Sequence, residues 1–278
     1  MMALYRTAFT LAAAMLLAPA VAGANDVDHY GGRDMIVHVP AQLPPSGSRA
    51  LVVVLHGGMG NADRIADGRS ESGLNLDAEA DGDGFIVVYL NGTQAARFLG
   101  ARALAWNAGG GCCGQPARNA VDDVAYIRSA VGYLAGKYGV DRSRVYGIGH
   151  SNGAMMTQRI LCESNLYAAG VAISGPLNLD VARCPDAKGK RILAIHGADD
   201  QNVPIAGGRG ARGVAQVAWS SEARARQVMT GSGARYDLQI VPGADHMLDH
   251  LSAAIAKSEG VTIAHKAAIF FGLAGKKG

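Results

Sequence analysis

The pentapeptide Gly149-His150-Ser151-Asn152-Gly153 constrains this chain more than any other stretch. It has the form G-x-S-x-G, follows the β-like run Arg144-Val145-Tyr146-Gly147-Ile148, and precedes a segment able to be helical, Ala154 to Leu161. A strand that becomes a helix across one serine must turn sharply. Glycine on either side removes the Cβ atoms that would collide there. Such a turn lifts the Ser151 hydroxyl off the end of a sheet and sets it at a helix N-terminus. There the partial positive charge and the free N–H of Asn152 can face a developing oxyanion. A Gly- and Ala-rich chain also makes this pentapeptide by chance in turns, so the flanking strand and helix are what turn it into an expected nucleophile elbow.

The remaining chain predicts a sheet to hold that elbow. Leu51-Val52-Val53-Val54-Leu55 and Phe85 to Leu90 are continuous apolar runs, as strands buried on both faces of a parallel sheet require. Tyr30 to Pro40 reads as an edge strand, and Pro44 to Ser48 as a turn. Further strands are expected at Ala168–Ser174, Arg191–Ile195 and Tyr236–Val241. Helices are expected at Leu74–Ala80, at about 217–230 and from Thr262 into Phe271. Asn119 to Tyr138 carries Val121, Val124, Ile127, Val131 and Leu134 at helical spacing. Strands alternating with helices imply an α/β fold, a mostly parallel sheet with helices on both faces. At 278 residues the chain suits one large domain, residues 25–278, with no linker and no internal repeat.

A serine hydroxyl becomes a nucleophile when a histidine takes its proton, and that imidazole needs a carboxylate to fix its tautomer. On the α/β-hydrolase scaffold the chain order is serine, acid, histidine, with the last two on loops after strands. Here strand 191–195 leads into His196-Gly197-Ala198-Asp199-Asp200, and strand 236–241 into Pro242-Gly243-Ala244-Asp245-His246. Asp200 is the expected acid and His246 the expected base. Asp199 is the alternative acid, with either aspartate able to cap the following turn. His250 and His265 are alternative bases, but both fall in expected helix. His56, His150 and His196 stand beside glycines at strand ends, where structural or supporting roles are expected. The oxyanion needs two N–H donors: Asn152, and Gly58 of the His56-Gly57-Gly58 loop, with Met59 as second choice. Trp106 is a candidate wall for the substrate's aryl or acyl group, or else a core tryptophan.

Residues 1–24 read as a secretory signal peptide: Arg6, an apolar run from Phe9 to Ala22, and the small-x-small site Ala22-Gly23-Ala24. The run is shorter than the ~20 residues of a membrane span, and a single arginine favours the general export route over the twin-arginine one. Losing Arg6 with the leader lowers the formal net charge from +3 to +2. Basic residues cluster only at Arg209-Gly210-Ala211-Arg212-Gly213 and Lys276-Lys277, so no nucleic-acid partner is expected. Cys112, Cys113, Cys162 and Cys184 imply disulfides in an exported chain, since no C-x-x-C or Cys/His spacing points to a metal. Bonds from the Cys112-Cys113 loop to Cys162 and Cys184 are expected, because pairing adjacent cysteines would be strained.

Leu55-His56-Gly57, Gly84 to Tyr89, Gly111-Cys112-Cys113-Gly114 before Val121-Asp122-Asp123-Val124, and Ser151 to Met156 with Arg159 and Cys162 together resemble one family. So does His196-Gly197 with Asp200 and Val203-Pro204. It is the secreted α/β-hydrolase esterase family containing feruloyl esterases and polyhydroxybutyrate depolymerases, and the likeness runs over nearly the whole mature chain. The resemblance implies the same triad of Ser151, Asp200 and His246. Two departures stand out. Gly58 occupies a position that is usually cysteine, and His246-Met247-Leu248 replaces a histidine followed by Trp-Pro. With no linker or polymer-binding domain after Gly278, soluble esters or oligomers are expected ahead of crystalline polyester. The expectation is a secreted, monomeric serine esterase acting on feruloyl-type or short acyl esters without cofactor or metal. A polyester depolymerase, an acyltransferase and a non-catalytic binding protein on the same fold are the alternatives.

Overall fold

The computed structural model describes residues 23–275 apart from residues 99, 214 and 216. In chain order the elements are β1 (Ala24–Tyr30), β2 (Arg33–Val39), β3 (Arg49–Leu55), α1 (Ala62–Ala66), α2 (Asp77–Asp83), β4 (Ile86–Leu90), β5 (Thr93–Gln94) and β6 (Leu104–Ala105). There follow α3 (Gly114–Arg118), α4 (Asp123–Tyr138), β7 (Val140–His150), α5 (Asn152–Glu163), β8 (Ala169–Ile173) and β9 (Arg191–Gly197). The last four are α6 (Glu222–Gly231), β10 (Arg235–Val241), α7 (Leu248–Glu259) and α8 (Ile263–Phe271).

Eight strands form one sheet in the order β1-β2-β4-β3-β7-β8-β9-β10. From β4 to β10 neighbours run parallel, while β2 pairs antiparallel with both β4 and β1. The apolar run in β3 is buried on both faces, and its alternation divides the core in two. Leu51, Val53 and Leu55 join Ile127 and Leu134 of α4, Met155 and Ile160 of α5, and Val228 of α6. Val52 and Val54 join Ile65 of α1, Leu251 and Ile255 of α7, and Ala267 and Phe271 of α8. The structure thus has the expected α/β-hydrolase architecture, with helices on both faces of a mostly parallel sheet.

The expected edge strand at Tyr30–Pro40 is instead the interior strand β2, and the true edge is β1. β1 escapes sequence reading because Asn25, Asp26, Asp28 and His29 leave it without an apolar face; it is exposed almost throughout. The expected leader falls outside the described residues except for Gly23 and Ala24, the latter opening β1. α2 begins later than Leu74, since Leu74 and Leu76 are buried from the preceding loop. Likewise α6 begins at Glu222, since Trp219 bridges Gly208 and the extended Ser221 caps the helix. Among the described residues no helix is long and apolar enough to cross a membrane.

Candidate active site

At the C-terminal end of β7 the chain makes the expected sharp turn. Ser151 has φ 54° and ψ −121°, a left-handed conformation that a serine adopts only when its surroundings hold it there. Its N–H donates to Ile173 O at 2.8 Å, and its carbonyl accepts from Met155 N at 3.0 Å as α5 begins. Both glycines of the motif are sterically required. A Cβ on Gly149 would overlap the backbone of Gly153, and one on Gly153 would overlap the carbonyls of Leu55 and His56.

The loops after β9 and β10 bring the other two expected residues to this serine. His246 Nε2 lies 2.9 Å from Ser151 Oγ, and His246 Nδ1 lies 2.7 Å from Asp200 Oδ2. The second carboxylate oxygen accepts the N–H groups of Asn202 and Val203, each at 2.8 Å, so Asp200 is fixed in orientation. Burial alone would raise its pKa, but hydrogen bonds from His196 and His246 hold the carboxyl well below the usual carboxylate range. Asp199 is exposed, and His250 on α7 pairs with Asp245 at the surface. His265 on α8 pairs with Glu79 at 2.7 Å. None of these three alternatives joins the chain of hydrogen bonds from Ser151.

The two expected oxyanion donors are neighbours in space. A Cβ built on Gly58 would lie 3.8 Å from Asn152 Cβ. Asn152 is the first residue of α5, so its N–H has no partner within the helix. Met59, next to Gly58, has φ 64° and is partly exposed.

Trp106 is placed differently from the expectation of a cleft wall. It is fully buried, its indole Nε1–H donating to His56 O at 3.0 Å, and so it cannot line an open surface. Its backbone N–H and C=O are both taken by the Asn152 side-chain amide, at 2.8 and 3.1 Å. Disulfide pairing is also corrected. Cys112 bonds to its neighbour Cys113, and Cys162 of α5 bonds to Cys184, whose Cα lies 4.5 Å away. The fold sets Cys162 against Cys184 rather than against the Cys112-Cys113 loop, so the adjacent pair is left to each other.

Three histidines at strand ends turn out to be parts of the site's frame. Burial pushes His56 down to about 4 and His150 down to about 3. His150 Nε2 lies 2.8 Å from His246 O. His196 is completely buried between Asp200 and Glu222. Glu222 carries no signal in the sequence, since an isolated glutamate opening a helix forms no motif. A second buried cluster fixes the loop behind Asn152. Asp123 Oδ1 is 2.7 Å from Arg33 Nη1, Asp123 Oδ2 accepts Asn107 N at 2.7 Å, and Arg159 donates to Asn107 O at 2.8 Å. This gives physical content to the family-like residues Asp123 and Arg159. Among the described residues no group of three or more His, Cys, Asp or Glu side chains is disposed to hold a metal ion.

A parallel sheet with a serine elbow after one strand, and acid and histidine loops after two later ones, defines the α/β-hydrolase class. Within that class the chain belongs to the Esterase PHB depolymerase family, which it matches over residues 40–179. It is similar to feruloyl esterase B of Piromyces equi, 30% identical over 63% of this chain and 31% of that protein. It is also similar to the putative esterase NocK of Nocardia uniformis subsp. tsuyamanensis, 34% identical over 57% of this chain and 42% of the relative. The chain thus spans well under half the length of these two curated relatives. Among solved structures, acetyl xylan esterase from Aspergillus awamori superposes with a TM-score of 0.57 at 15% identity. That superposition covers 91% of this chain and 100% of the other, and it supports the fold alone.

Proposed function

We propose that this protein is a secreted serine esterase that cleaves carboxylic esters, of feruloyl or short-acyl type, through an acyl-enzyme. The observation that carries the reading is the unbroken hydrogen-bonded series Ser151 Oγ, His246, Asp200 on a family of esterases. Ser151 Oγ attacks the ester carbonyl while its proton passes to His246 Nε2. The carbonyl oxygen, now negative, is held by the N–H groups of Gly58 and Asn152, which are fixed before charge develops. As the tetrahedral adduct collapses, His246 returns the proton to the leaving alcohol, and the acyl group stays on Ser151. A water molecule then gives its proton to His246, its oxygen attacks the acyl carbonyl, and the acid and free Ser151 are released. No step calls for a cofactor.

Export is part of the reading. It rests on the signal-like residues 1–24 and on two disulfides, which persist in oxidising compartments. A depolymerase acting on polyhydroxybutyrate oligomers is the second reading, favoured by the family match itself.

The deciding experiment is hydrolysis of p-nitrophenyl acetate and butyrate, methyl ferulate and a hydroxybutyrate trimer by wild type and Ser151→Ala. Wild type is expected to turn over, the variant to lose at least about 10⁴-fold in kcat, and the preferred substrate to choose between the two readings. Equal behaviour of the two proteins, with no fluorophosphonate label on Ser151, would leave a non-catalytic binding protein in place of an esterase.

A further inference from the structure

The polar chain behind His246 does not end at Asp200. His196, near the end of β9, has Nε2 2.9 Å from Val203 O and 3.2 Å from Asp200 Oδ2, and Nδ1 2.8 Å from Glu222 Oε1. All three partners are oxygens placed to accept. A neutral imidazole has one N–H and one lone pair, so either tautomer would point a lone pair at an oxygen; only the imidazolium donates from both nitrogens. The other oxygen of Glu222 accepts Tyr236 OH at 2.6 Å, and Gln158 Nε2 donates to Tyr236 OH at 3.2 Å and to Gly175 O at 2.9 Å. Gly175 in turn lies against the Ser151 carbonyl. The series is therefore a buried loop that leaves the elbow through His246 and returns to it through Gly175.

Charge balance gives this loop a role. Two buried carboxylates share this one imidazole, and a cation there favours the ionised form of both, where a neutral ring would favour protonating one of them. A protonated Asp200 would no longer fix the Nδ1–H tautomer of His246. We propose that His196 is a positioning residue of the catalytic site: a buried cation, with Glu222 as its counter-ion, that keeps Asp200 ionised and aimed at His246. The proposal rests on the triad reading above.

The titration behaviour agrees with the geometry. Burial opposes a charge on His196, yet the hydrogen bonds it donates to Asp200 and Glu222 outweigh it and raise the imidazole to about 9. The other charged or titratable groups facing the cluster are His246 and Asp245 on the loop after β10, His150 at the end of β7, Tyr236 on β10 and Arg226 on α6. His150 is held neutral by burial and Tyr236 stays protonated, so Glu222 is the anion that balances His196.

The test is the pH profile of kcat with p-nitrophenyl butyrate for wild type, His196→Gln, Glu222→Gln and the double variant, with Ser151→Ala as the blank. His196→Gln should lose roughly 10²-fold in kcat near neutral pH, less than the ~10⁴-fold lost when a triad carboxylate is itself neutralised. Its acid limb should move to higher pH, because a cation has been removed. Glu222→Gln should move the limb to lower pH, because an anion has been removed. The double variant should regain most of the loss and return the limb towards wild type. A purely structural pair would instead lower thermal stability in all three variants with the limb unmoved, and the same loss in the double as in His196→Gln overturns the proposal. Nitrogen-15 NMR of histidine-labelled wild type tests it without substrate, even where a variant fails to fold. Both ring nitrogens of His196 should carry protons at about pH 7, and one bare nitrogen overturns the claim. If wild type and Ser151→Ala hydrolyse alike, the triad reading is what has failed, and the NMR result still decides the charge on His196.

Discussion

His150 Nε2 lies 2.8 Å from the carbonyl oxygen of His246, so the residue just before the elbow serine holds the backbone of the loop that carries the proposed base. The carbonyl only accepts, so His150 carries a proton on Nε2, and burial, which pushes its pKa down to about 3, keeps the ring neutral. The elbow and the His246 loop are thereby tied twice, once through the Ser151 and His246 side chains and once through His150. His150→Phe keeps a ring of similar size and removes the donor. The lost bond is worth about 0.5–1.5 kcal/mol, so kcat should fall up to roughly tenfold with KM little changed. Steady-state kinetics check this; an unchanged kcat would mean that the loop is held without His150.

Stability should peak near pH 6.5–7. His150 and His56 are held neutral at about 3 and about 4, against an ordinary value of 6.5. Below 6.5 the unfolded chain therefore binds protons that the folded chain refuses, and stability falls on acidification by up to about 1.4 kcal/mol per unit for each. His196 has the opposite sign. Raised to about 9, it contributes fully below 6.5 and loses its contribution as pH rises through 9. Urea denaturation from about pH 4.5 to 9.5 should show both slopes, and His196→Gln should flatten the alkaline one. A rise in stability from pH 7 to 9 would contradict a charged His196.

Much of this site is legible in the sequence because its parts sit at strand ends in a fixed order. Ser151 and Asp200 follow strands whose C-terminal halves are buried, β7 and β9, and His246 follows β10, the half-exposed strand at the sheet's edge. What escapes is whatever depends on contact between distant segments. Glu222 means nothing until α6 is packed beside β9. Trp106 shows no sign that Asn152 will take both of its backbone groups. The cysteine pairing fails for the same reason, since sequence spacing favours a bond between loops while the fold sets Cys184 under α5. β1 is missed because its pairing with β2 is made by backbone, with polar side chains that carry no alternation.

The Cys162–Cys184 bond should act on stability far more than on chemistry. It ties α5 to the segment before β9 across a sequence separation of 22 residues. Closing a loop of this size restricts the unfolded chain by about 3 kcal/mol in the chain-entropy account. Cys162→Ala with Cys184→Ala should lose about that much by urea denaturation while keeping kcat within a few-fold. A collapse of kcat at full folding would instead show that the bond sets the position of the elbow.

Asn152 does two jobs that substitution can separate. Its backbone N–H is the expected oxyanion donor, while its buried side chain accepts Trp106 N–H at 2.8 Å and donates to Trp106 O at 3.1 Å and Cys112 Sγ at 3.4 Å. Asn152→Ala keeps the N–H and leaves Trp106 N buried without its partner, at a cost of about 1–3 kcal/mol, while Trp106 O keeps the N–H of Cys113. A stability loss of about 1–3 kcal/mol should follow, with a fall in kcat far smaller than that of Ser151→Ala. Asn152→Asp keeps the acceptor but turns an oxygen towards the Trp106 carbonyl, in a place where burial magnifies the repulsion. Aspartate should therefore be the less stable of the two by urea denaturation. The reverse order would mean that Nδ2 does not face the Trp106 carbonyl, and that the amide does not brace the loop.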